Sequence, residues 1–98
     1  MGKSIMQDDR RCYFCGRLSP LERHHVFAGC ANRPISEREG LWVWLCHEDH
    51  TGKYGAQYNK EKRMQLEQDA QYAYEKKHSR SEWMKLFGKN YLGTPEEG

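Results

Sequence analysis

The stretch LERHHVFAGC, residues 21–30, places two adjacent histidines in front of the apolar pair Val26 and Phe27. Its alternation of polar and apolar side chains is imperfect but is compatible with a short β-strand. Neighbouring side chains of a strand point to opposite faces, so His24 and His25 would face opposite ways unless the strand bends or ends there. The fold must therefore provide a role for an imidazole on each side of one short strand.

The segments that follow predict a second strand and the start of a helix. LWVWL, residues 41–45, is apolar, aromatic and β-branched and stands between Gly40 and Cys46, which indicates a buried strand. Residues 28–40 contain two glycines, a proline and several turn formers, so we predict a loop between the strands. CHEDHTGKYG, residues 46–55, begins like a helix that Gly52 and Gly55 cut short.

Two further helices are predicted in the C-terminal part. The first runs from Asn59 to about His78 and carries a narrow apolar stripe, made of Leu66, Ala70, Ala73 and Tyr74. Ser79 and Glu82 have the spacing of a capping box, which predicts a last helix that ends at Gly88. One face of this helix is expected to dock on the core through Trp83, Leu86 and Phe87.

Length and composition predict one small domain that needs a disulfide or a bound metal ion for stability. The chain has 98 residues, of which 37% are hydrophobic and 31% charged, so little apolar surface is available for a core. Because the sequence contains no long apolar run and no secretory signal, we expect no membrane contact and a cytoplasmic location, where cysteine pairs bind metal more often than they form disulfides. We expect flexible tails at residues 1–11 and 93–98 around a single domain at 12–92.

Three cysteines supply soft ligands for a metal ion. Cys12 and Cys15 have the C-x-x-C spacing of a zinc knuckle, and Gly16 is free to take the positive φ that such a tight turn requires. Cys46 is the third ligand. The candidates for the fourth ligand are Asp49, Cys30 and His47. The first of these lies three residues after Cys46, on the same face of a first helical turn.

The segments ERHHVF, LWVWLC and EDH, with a loop between the first two, resemble the HNH endonuclease family, whose fold is the ββα-metal or His-Me finger. CYFCG ahead of them matches the zinc-stapled branch of that family, and FGKNYL near the C-terminus is similar to small prophage-encoded members. The resemblance covers roughly residues 12–62 and leaves a helical extension at 59–92. It implies an α+β fold: a small ββα-metal finger with a zinc knuckle, followed by C-terminal helices.

The resemblance also implies a role for each histidine of the motif. In this family the first histidine of the doublet binds a divalent cation and the second is the general base, so these roles fall to His24 and His25. His50 matches the second metal ligand, and Asn59 is the candidate third ligand, although it would serve equally well as a helix N-cap. The implied activity is hydrolysis of DNA phosphodiester bonds with Mg²⁺ or Mn²⁺, while Zn²⁺ has a structural role.

Two positions depart from the family pattern. The asparagine that usually tethers the loop before the second strand is missing, since Glu39, Gly40 and Leu41 occupy its place and Asn32 lies too early. Backbone groups near Gly40 would have to replace this tether, or the loop is held in another way. Aspartate at position 49 stands where the family usually has cysteine or histidine, although aspartate is an accepted zinc ligand.

The expected partner is double-stranded DNA. Five cations flank the motifs and are candidate phosphate contacts, namely Arg23, Arg33, Lys53, Lys60 and Arg63. Each taken singly is also compatible with an ordinary solvated surface. The alternative function is a catalytically inactive, zinc-stapled DNA-binding or adaptor module of a phage. The C-terminal helices would in addition offer a surface for a phage protein partner.

Overall fold

The computed structural model describes residues 3–53 and 55–92, and within these residues the chain forms a two-stranded sheet and four helices. The bounds in chain order are β1 (Glu22–His25), α1 (Arg33–Glu39), β2 (Trp42–Leu45), α2 (His47–His50), α3 (Lys60–Tyr74) and α4 (Arg80–Phe87). The predicted α+β class is confirmed, and both predicted strands are present. The second tail predicted at residues 93–98 lies outside the described residues.

The two strands pair antiparallel, and their register separates the histidine doublet. His24 lies opposite Val43, and His25 lies opposite Trp42. Residues that pair directly share a face, so His24 stands with the fully buried Val43 on the side that α2 covers. His25 stands on the other side with Trp42. The strand therefore presents one imidazole to each face of the sheet, as its short alternation predicts.

The prediction of a loop between the strands was wrong, because residues 33–39 form the helix α1. Pro34 lies in the first turn, where its missing N–H is not needed, and Gly40 ends the helix at φ +74°. A Cβ added to Gly40 would clash with the carbonyl oxygen of Lys3, so glycine is required both for the backbone angle and for this close approach.

The predictions for the remaining helices are confirmed with small shifts. α2 is a single turn, and the chain folds back so tightly that a Cβ on Gly52 would stand 2.6 Å from the Glu48 carbonyl oxygen. α3 ends at Tyr74 rather than near His78, because residues 75–77 form a turn. α4 begins with the predicted capping box: the Ser79 hydroxyl accepts from the Glu82 N–H at 3.1 Å, and the Ser79 N–H donates to the Glu82 carboxylate at 3.0 Å.

Two apolar clusters form the core. The first lies between the knuckle, β2 and α3, and its buried members are Cys12, Val43, Leu45, Cys46, Ala56 and Leu66. The second lies between β1, α3 and α4, and its buried members are Phe27, Leu41, Ala70, Tyr74 and Trp83. Met6 and Val26 pack against both clusters and join them. The predicted docking of α4 through Trp83, Leu86 and Phe87 is confirmed.

The N-terminal segment lies along β2. The Ser4 hydroxyl donates to the Trp42 carbonyl at 2.5 Å, the Ile5 N–H donates to the Gly40 carbonyl at 2.9 Å, and the Gln7 side chain accepts from the Trp44 N–H at 2.9 Å. These residues belong to the stretch 1–11 for which we predict a flexible tail, and residues 4–7 of it pack on the domain. None of the helices in residues 3–53 and 55–92 has the length and apolar content needed to cross a membrane.

Candidate metal sites

The predicted thiol ligands and Asp49 meet in one place, which we call the cysteine cluster: Cys12, Cys15, Cys46 and Asp49. Their four ligand atoms all lie within 4.8 Å of one another. The Sγ atoms of Cys15 and Cys46 are 3.7 Å apart, close to the edge of about 3.8 Å that Zn–S bonds of about 2.3 Å give in a tetrahedron. The cluster can therefore hold a metal ion such as zinc.

The rival fourth ligands lie elsewhere. Cys30 is exposed beside the start of α1, in a hollow of about 640 Å³ that it lines together with His25 and Glu37. His47 directs its Nδ1 toward a Glu22 carboxylate oxygen at 3.3 Å. Within residues 3–53 and 55–92 the cysteine cluster is the only group of three or more such side chains spaced for a metal ion.

The backbone of the knuckle and the first turn of α2 fix the ligand positions. The Gly16 N–H donates to the Cys12 carbonyl at 2.9 Å, and Gly16 has the positive φ of +79° that the sequence predicts. Cys46 is the N-cap residue of α2, so Asp49 stands one turn later on the same side of the helix. Both pairs arise from local structure, and the β-hairpin brings them together.

Burial and hydrogen bonds shift the pKa values of the cluster ligands in different directions. Burial opposes ionisation of Cys12, but backbone N–H groups of Cys46 and Cys15 directed at its sulfur hold the pKa of this thiol below its ordinary value. Burial also raises the pKa of Asp49, yet the Lys62 ammonium at 2.8 Å and the thiols outweigh it and lower that pKa to about 2. Burial and the side-chain hydrogen bond to Asp49 instead raise the pKa of Cys46 to about 12, so a bound metal ion would have to displace the proton of this thiol.

A second site, which we call the histidine cleft, has a volume of about 430 Å³ and lies at the end of β1. Its lining residues are Arg23, His24, His25, Val26, Ala28, Gly29, Arg33, His50, Gln57 and Arg63. All three histidines of the motif therefore border one cleft. The lining contains three arginines and no carboxylate; Arg23 is paired with Glu37 outside the lining, and Arg33 and Arg63 supply the remaining positive charge.

His24 and His50 face each other across the junction of β1 and α2. Their ring centroids are 5.0 Å apart, and the ring planes are inclined by 70°. Burial, followed by the charges of His50 and His25, lowers the pKa of His24 to about 4, so this imidazole is neutral at pH 7 and offers a lone pair. The two rings are therefore direct neighbours at one edge of the cleft.

Glu22 orients His50 from the same face of β1. One carboxylate oxygen lies 2.6 Å from Nδ1 of His50, and this hydrogen bond is the largest cause that lowers the pKa of Glu22. A carboxylate that holds one ring nitrogen of a histidine fixes the tautomer and leaves the other nitrogen free to bind metal. Sequence reasoning missed Glu22, although the two-residue period of a strand places it on the His24 face.

His25 is paired with a carboxylate from α1. Its Nε2 lies 2.5 Å from the Glu37 carboxylate, whose other oxygen accepts from Arg23 at 2.5 Å. The hydrogen bond with His25 is the largest cause that lowers the pKa of Glu37. Sequence reasoning missed Glu37 as well, because its position opposite His25 depends on the helix that was predicted as a loop.

Ser36 in α1 ties the segment between the two strands to the chain on either side. The Ser36 side chain is fully buried, and its hydroxyl donates to the Phe27 carbonyl at 2.8 Å and accepts from the Phe27 N–H at 3.2 Å. The Ser36 carbonyl accepts from the Leu41 N–H at 2.8 Å. The segment between the strands is therefore held by the Ser36 hydroxyl and by backbone groups at Gly40 and Leu41.

Asn59 acts as a helix cap. Its side-chain oxygen accepts from the Lys62 N–H at 3.1 Å, and its amide borders a hollow lined also by Tyr13 and Phe14, outside the histidine cleft. Of our two alternatives for this residue, the contacts support the cap. Gln57, which sequence reasoning did not single out, is the amide side chain that lines the cleft beside His24 and His50.

The five candidate DNA contacts do not form one patch. Arg23, Arg33 and Arg63 line the histidine cleft, Lys60 lines a neighbouring hollow, and Lys53 is exposed after α2 and lines neither. Arg23 also stacks its guanidinium 3.9 Å from the centre of the Trp42 ring. No protein-family model matches the chain, and comparisons with curated proteins and with solved structures find no significant match.

Proposed function

We propose that the protein is a metal-dependent endonuclease that hydrolyses phosphodiester bonds of double-stranded DNA. The observation that carries this proposal is the histidine cleft, because one space of about 430 Å³ is bordered by three imidazoles and three arginines. Hydrolysis of a phosphodiester requires a base for the attacking water and positive charge for the phosphate oxygens. Both kinds of group, imidazoles and arginines, line this one cleft.

In this proposal His24 and His50 hold the catalytic cation, and Gln57 is the side chain in place to assist them. Glu22 keeps Nδ1 of His50 occupied at 2.6 Å, which leaves Nε2 as the nitrogen available to a cation. A divalent cation bound there supplies Lewis acidity and open positions for phosphate oxygens. Two imidazole ligands suit Mn²⁺ better than Mg²⁺, which prefers oxygen.

His25 is the proposed general base, and Glu37 positions it. The Glu37 carboxylate accepts the Nε2 proton at 2.5 Å, so the lone pair that takes a proton from water resides on Nδ1. The same carboxylate accepts from Arg23, which limits its freedom to rotate. Because the doublet straddles β1, the base and the cation ligands approach a phosphate from different sides.

The cysteine cluster is proposed to bind Zn²⁺ as a structural ion. Three sulfurs and one carboxylate oxygen make a closed set of four ligands, which is typical of structural rather than catalytic zinc. Structural zinc stabilises small domains whose apolar core is limited, and this chain is only 37% hydrophobic. Four free thiols are compatible with the reducing cytoplasm of a bacterial cell, including one that carries a phage.

One observation favours the second candidate, a zinc-stapled DNA-binding or adaptor module without activity. His25 is only 12% exposed, and its Nε2 is already engaged by Glu37, so the pair also resembles an ordinary structural contact between β1 and α1. In that case the arginines of the cleft would bind DNA without cutting it.

The experiment that separates the candidates is cleavage of supercoiled plasmid with Mg²⁺, Mn²⁺ or EDTA. We expect cleavage by the wild type with a divalent cation, and loss of about 100-fold or more in rate for His25→Ala, because a general base contributes about 10² to 10⁴. His24→Ala and His50→Ala should lose cation dependence together with activity. His78→Ala is the matched control, since His78 lies after α3 beside Tyr74.

Circular dichroism and thermal melting must show that each histidine variant folds. Wild-type protein that binds plasmid but leaves it intact under every cation would establish the inactive module. Cleavage that survives His25→Ala at the wild-type rate would remove this residue as the base.

A further inference from the structure

A second hollow adjoins the histidine cleft on the side of the C-terminal helices. It has a volume of about 480 Å³, and its lining residues are Lys60, Arg63, Met64, Glu67, Lys89, Asn90 and Tyr91. We call it the C-terminal hollow. Arg63 lines both spaces, so the positive surface of the cleft continues without a break onto α3.

One wall of the hollow is an outward stripe of α3. Four of its lining residues, Lys60, Arg63, Met64 and Glu67, follow the i, i+3, i+4, i+7 spacing of one helix face. The stripe is distinct from the buried face of α3, which holds Leu66 and Ala70. Nothing in the core therefore accounts for this arrangement of charges.

The opposite wall is residues 89–91, which are held rigidly although they follow the last helix. The Lys89 carbonyl accepts from the Trp83 indole N–H at 2.8 Å, and the Tyr91 N–H donates to the fully buried Gln71 side chain at 2.7 Å. Gln71 also donates to the Asn90 side chain at 2.9 Å. A buried amide whose hydrogen bonds are all satisfied fixes one conformation of the segment.

The charges of the hollow are unbalanced. Three cations, Lys60, Arg63 and Lys89, surround one carboxylate, that of Glu67. Among the nine ion pairs of the part of the chain that the structure describes, none involves these three cations. Three cations around one carboxylate leave an excess of positive charge, which favours a polyanionic partner.

We propose that the C-terminal hollow is the continuation of the DNA-binding surface, in which Lys60 and Lys89 bind phosphates of the duplex whose scissile phosphate lies in the histidine cleft. This inference rests on the proposed function, which it extends from one phosphate to a longer footprint. Arg63 bridges the two spaces, and residues 89–91 serve as a fixed wall against the backbone. The C-terminal helices then belong to the nucleic-acid interface.

The charge pattern selects DNA over the other occupant of such a surface, a protein partner. Arg63 joins the hollow to the cleft, and phosphates repeat regularly along a duplex, so one duplex can supply an anion to both spaces. An acidic protein segment matches the same cations but has no phosphodiester for the cleft to hydrolyse. The experiment below includes such a segment as a competitor.

The test measures binding of a short labelled duplex by fluorescence anisotropy, with zinc retained and no Mg²⁺ or Mn²⁺ added. Affinity is followed between about 50 and 200 mM salt, where each phosphate contact adds about 0.9 to the slope of log K against log salt. We expect Lys60→Gln and Lys89→Gln each to weaken binding several-fold and to reduce that slope by about one. Lys85→Gln is the control of equal charge, because Lys85 is exposed on α4 and does not line the hollow.

The outcomes separate this inference from the nuclease proposal. If Lys60→Gln and Lys89→Gln bind like Lys85→Gln while the wild type cuts plasmid, the inference fails and the nuclease proposal stands. If Lys60→Gln and Lys89→Gln both reduce the salt slope but the wild type does not cut plasmid, the inference is supported and the nuclease proposal fails. Absence of duplex binding by the wild type overturns both. If the wild type binds polyglutamate more tightly than duplex, and the same two variants lose that binding, the inference fails and the partner of the hollow is a protein.

Discussion

Asp49 shows how one residue can serve two partners in the cysteine cluster. One carboxylate oxygen faces the sulfurs of Cys12 and Cys46 at 3.1 and 3.3 Å, and the other accepts from Lys62 at 2.8 Å. A cysteine in this position would have a single sulfur and no second atom for the lysine. The second carboxylate oxygen of Asp49 therefore connects the cluster to the first turn of α3.

The Lys62 contact predicts an effect on metal affinity. Lys62→Met removes the ammonium group that orients and neutralises the Asp49 carboxylate, and loss of such an outer partner costs about 10- to 100-fold in affinity. We expect this loss for Zn²⁺ in competition with a chromophoric chelator, and the Co²⁺ spectrum should report the changed ligand field. Lys77→Met, at an exposed lysine beyond α3, should leave both unchanged. Equal zinc affinity of the two variants would contradict the coupling.

At the scale of elements, α4 owes its start to two side chains. The Ser79 and Glu82 pair satisfies two N–H groups that the helix leaves without partners. Ser79→Ala should lower the free energy of unfolding by about 1 kcal/mol, measured by chemical denaturation. Ser81→Ala is the control, because Ser81 is exposed inside the helix, where alanine is the better helix former. A loss of the same size in both variants would mean that the cap adds nothing.

Most of the strands and helices were predicted from the sequence, and α1 shows why one helix was not. The second strand is a bounded apolar run, and the last helices carry cap signals that depend only on neighbours in the chain. Residues 28–40 contain equally local signals, with Pro34 near the start and Gly40 after the end of a helix, but these residues also favour turns. The helix is decided by long-range contacts, in particular by the hydrogen bonds of Ser36 to Phe27.

The site residues likewise divide into those that local spacing in the sequence predicts and those that only the fold brings together. Cys46 and Asp49 are three residues apart and were paired from helical spacing alone. The meeting of the two halves of the cysteine cluster, by contrast, requires the hairpin register. Glu37 became a partner of His25 only because α1 crosses that face of the sheet, and no pattern in the sequence indicates this contact.

At the scale of the whole molecule, the cysteine cluster is part of the core. Cys12 and Cys46 are almost fully buried in the first apolar cluster, which Met6 and Val26 join to the second. A metal ion bound there would hold the knuckle, the sheet and α2 together in a domain with little apolar material. Stability of the entire chain should therefore depend on the ion.

Removal of zinc with a strong chelator should lower the melting temperature in a single cooperative transition. Zinc at about a thousandfold above its dissociation constant stabilises the folded state by about 4 kcal/mol. Each kcal/mol corresponds to about 4–8 °C for a domain of this size, so we expect a fall of about 15 °C or more. Calorimetry before and after chelation, with zinc added back, measures it.

Two cysteine variants provide the controls for that measurement. Cys15→Ser should melt like the chelated wild type, whereas Cys30→Ser should retain one zinc per chain, because Cys30 lies outside the cluster. Unchanged melting of the wild type after complete metal removal would exclude a stabilising ion.

The hydroxyl of Ser36 has a consequence for ancestry. This buried hydroxyl both donates to and accepts from backbone groups of Phe27, nine positions earlier. Alanine would leave those two polar groups without this partner, and a bulkier side chain does not fit a site without exposed surface. Few residues can therefore replace this serine. Zinc ligands, by contrast, can be exchanged among cysteine, histidine and aspartate, all of which bind the ion. We therefore expect distant descendants of a common ancestor to share a serine nine positions beyond the HHVF phenylalanine even where their knuckles have diverged.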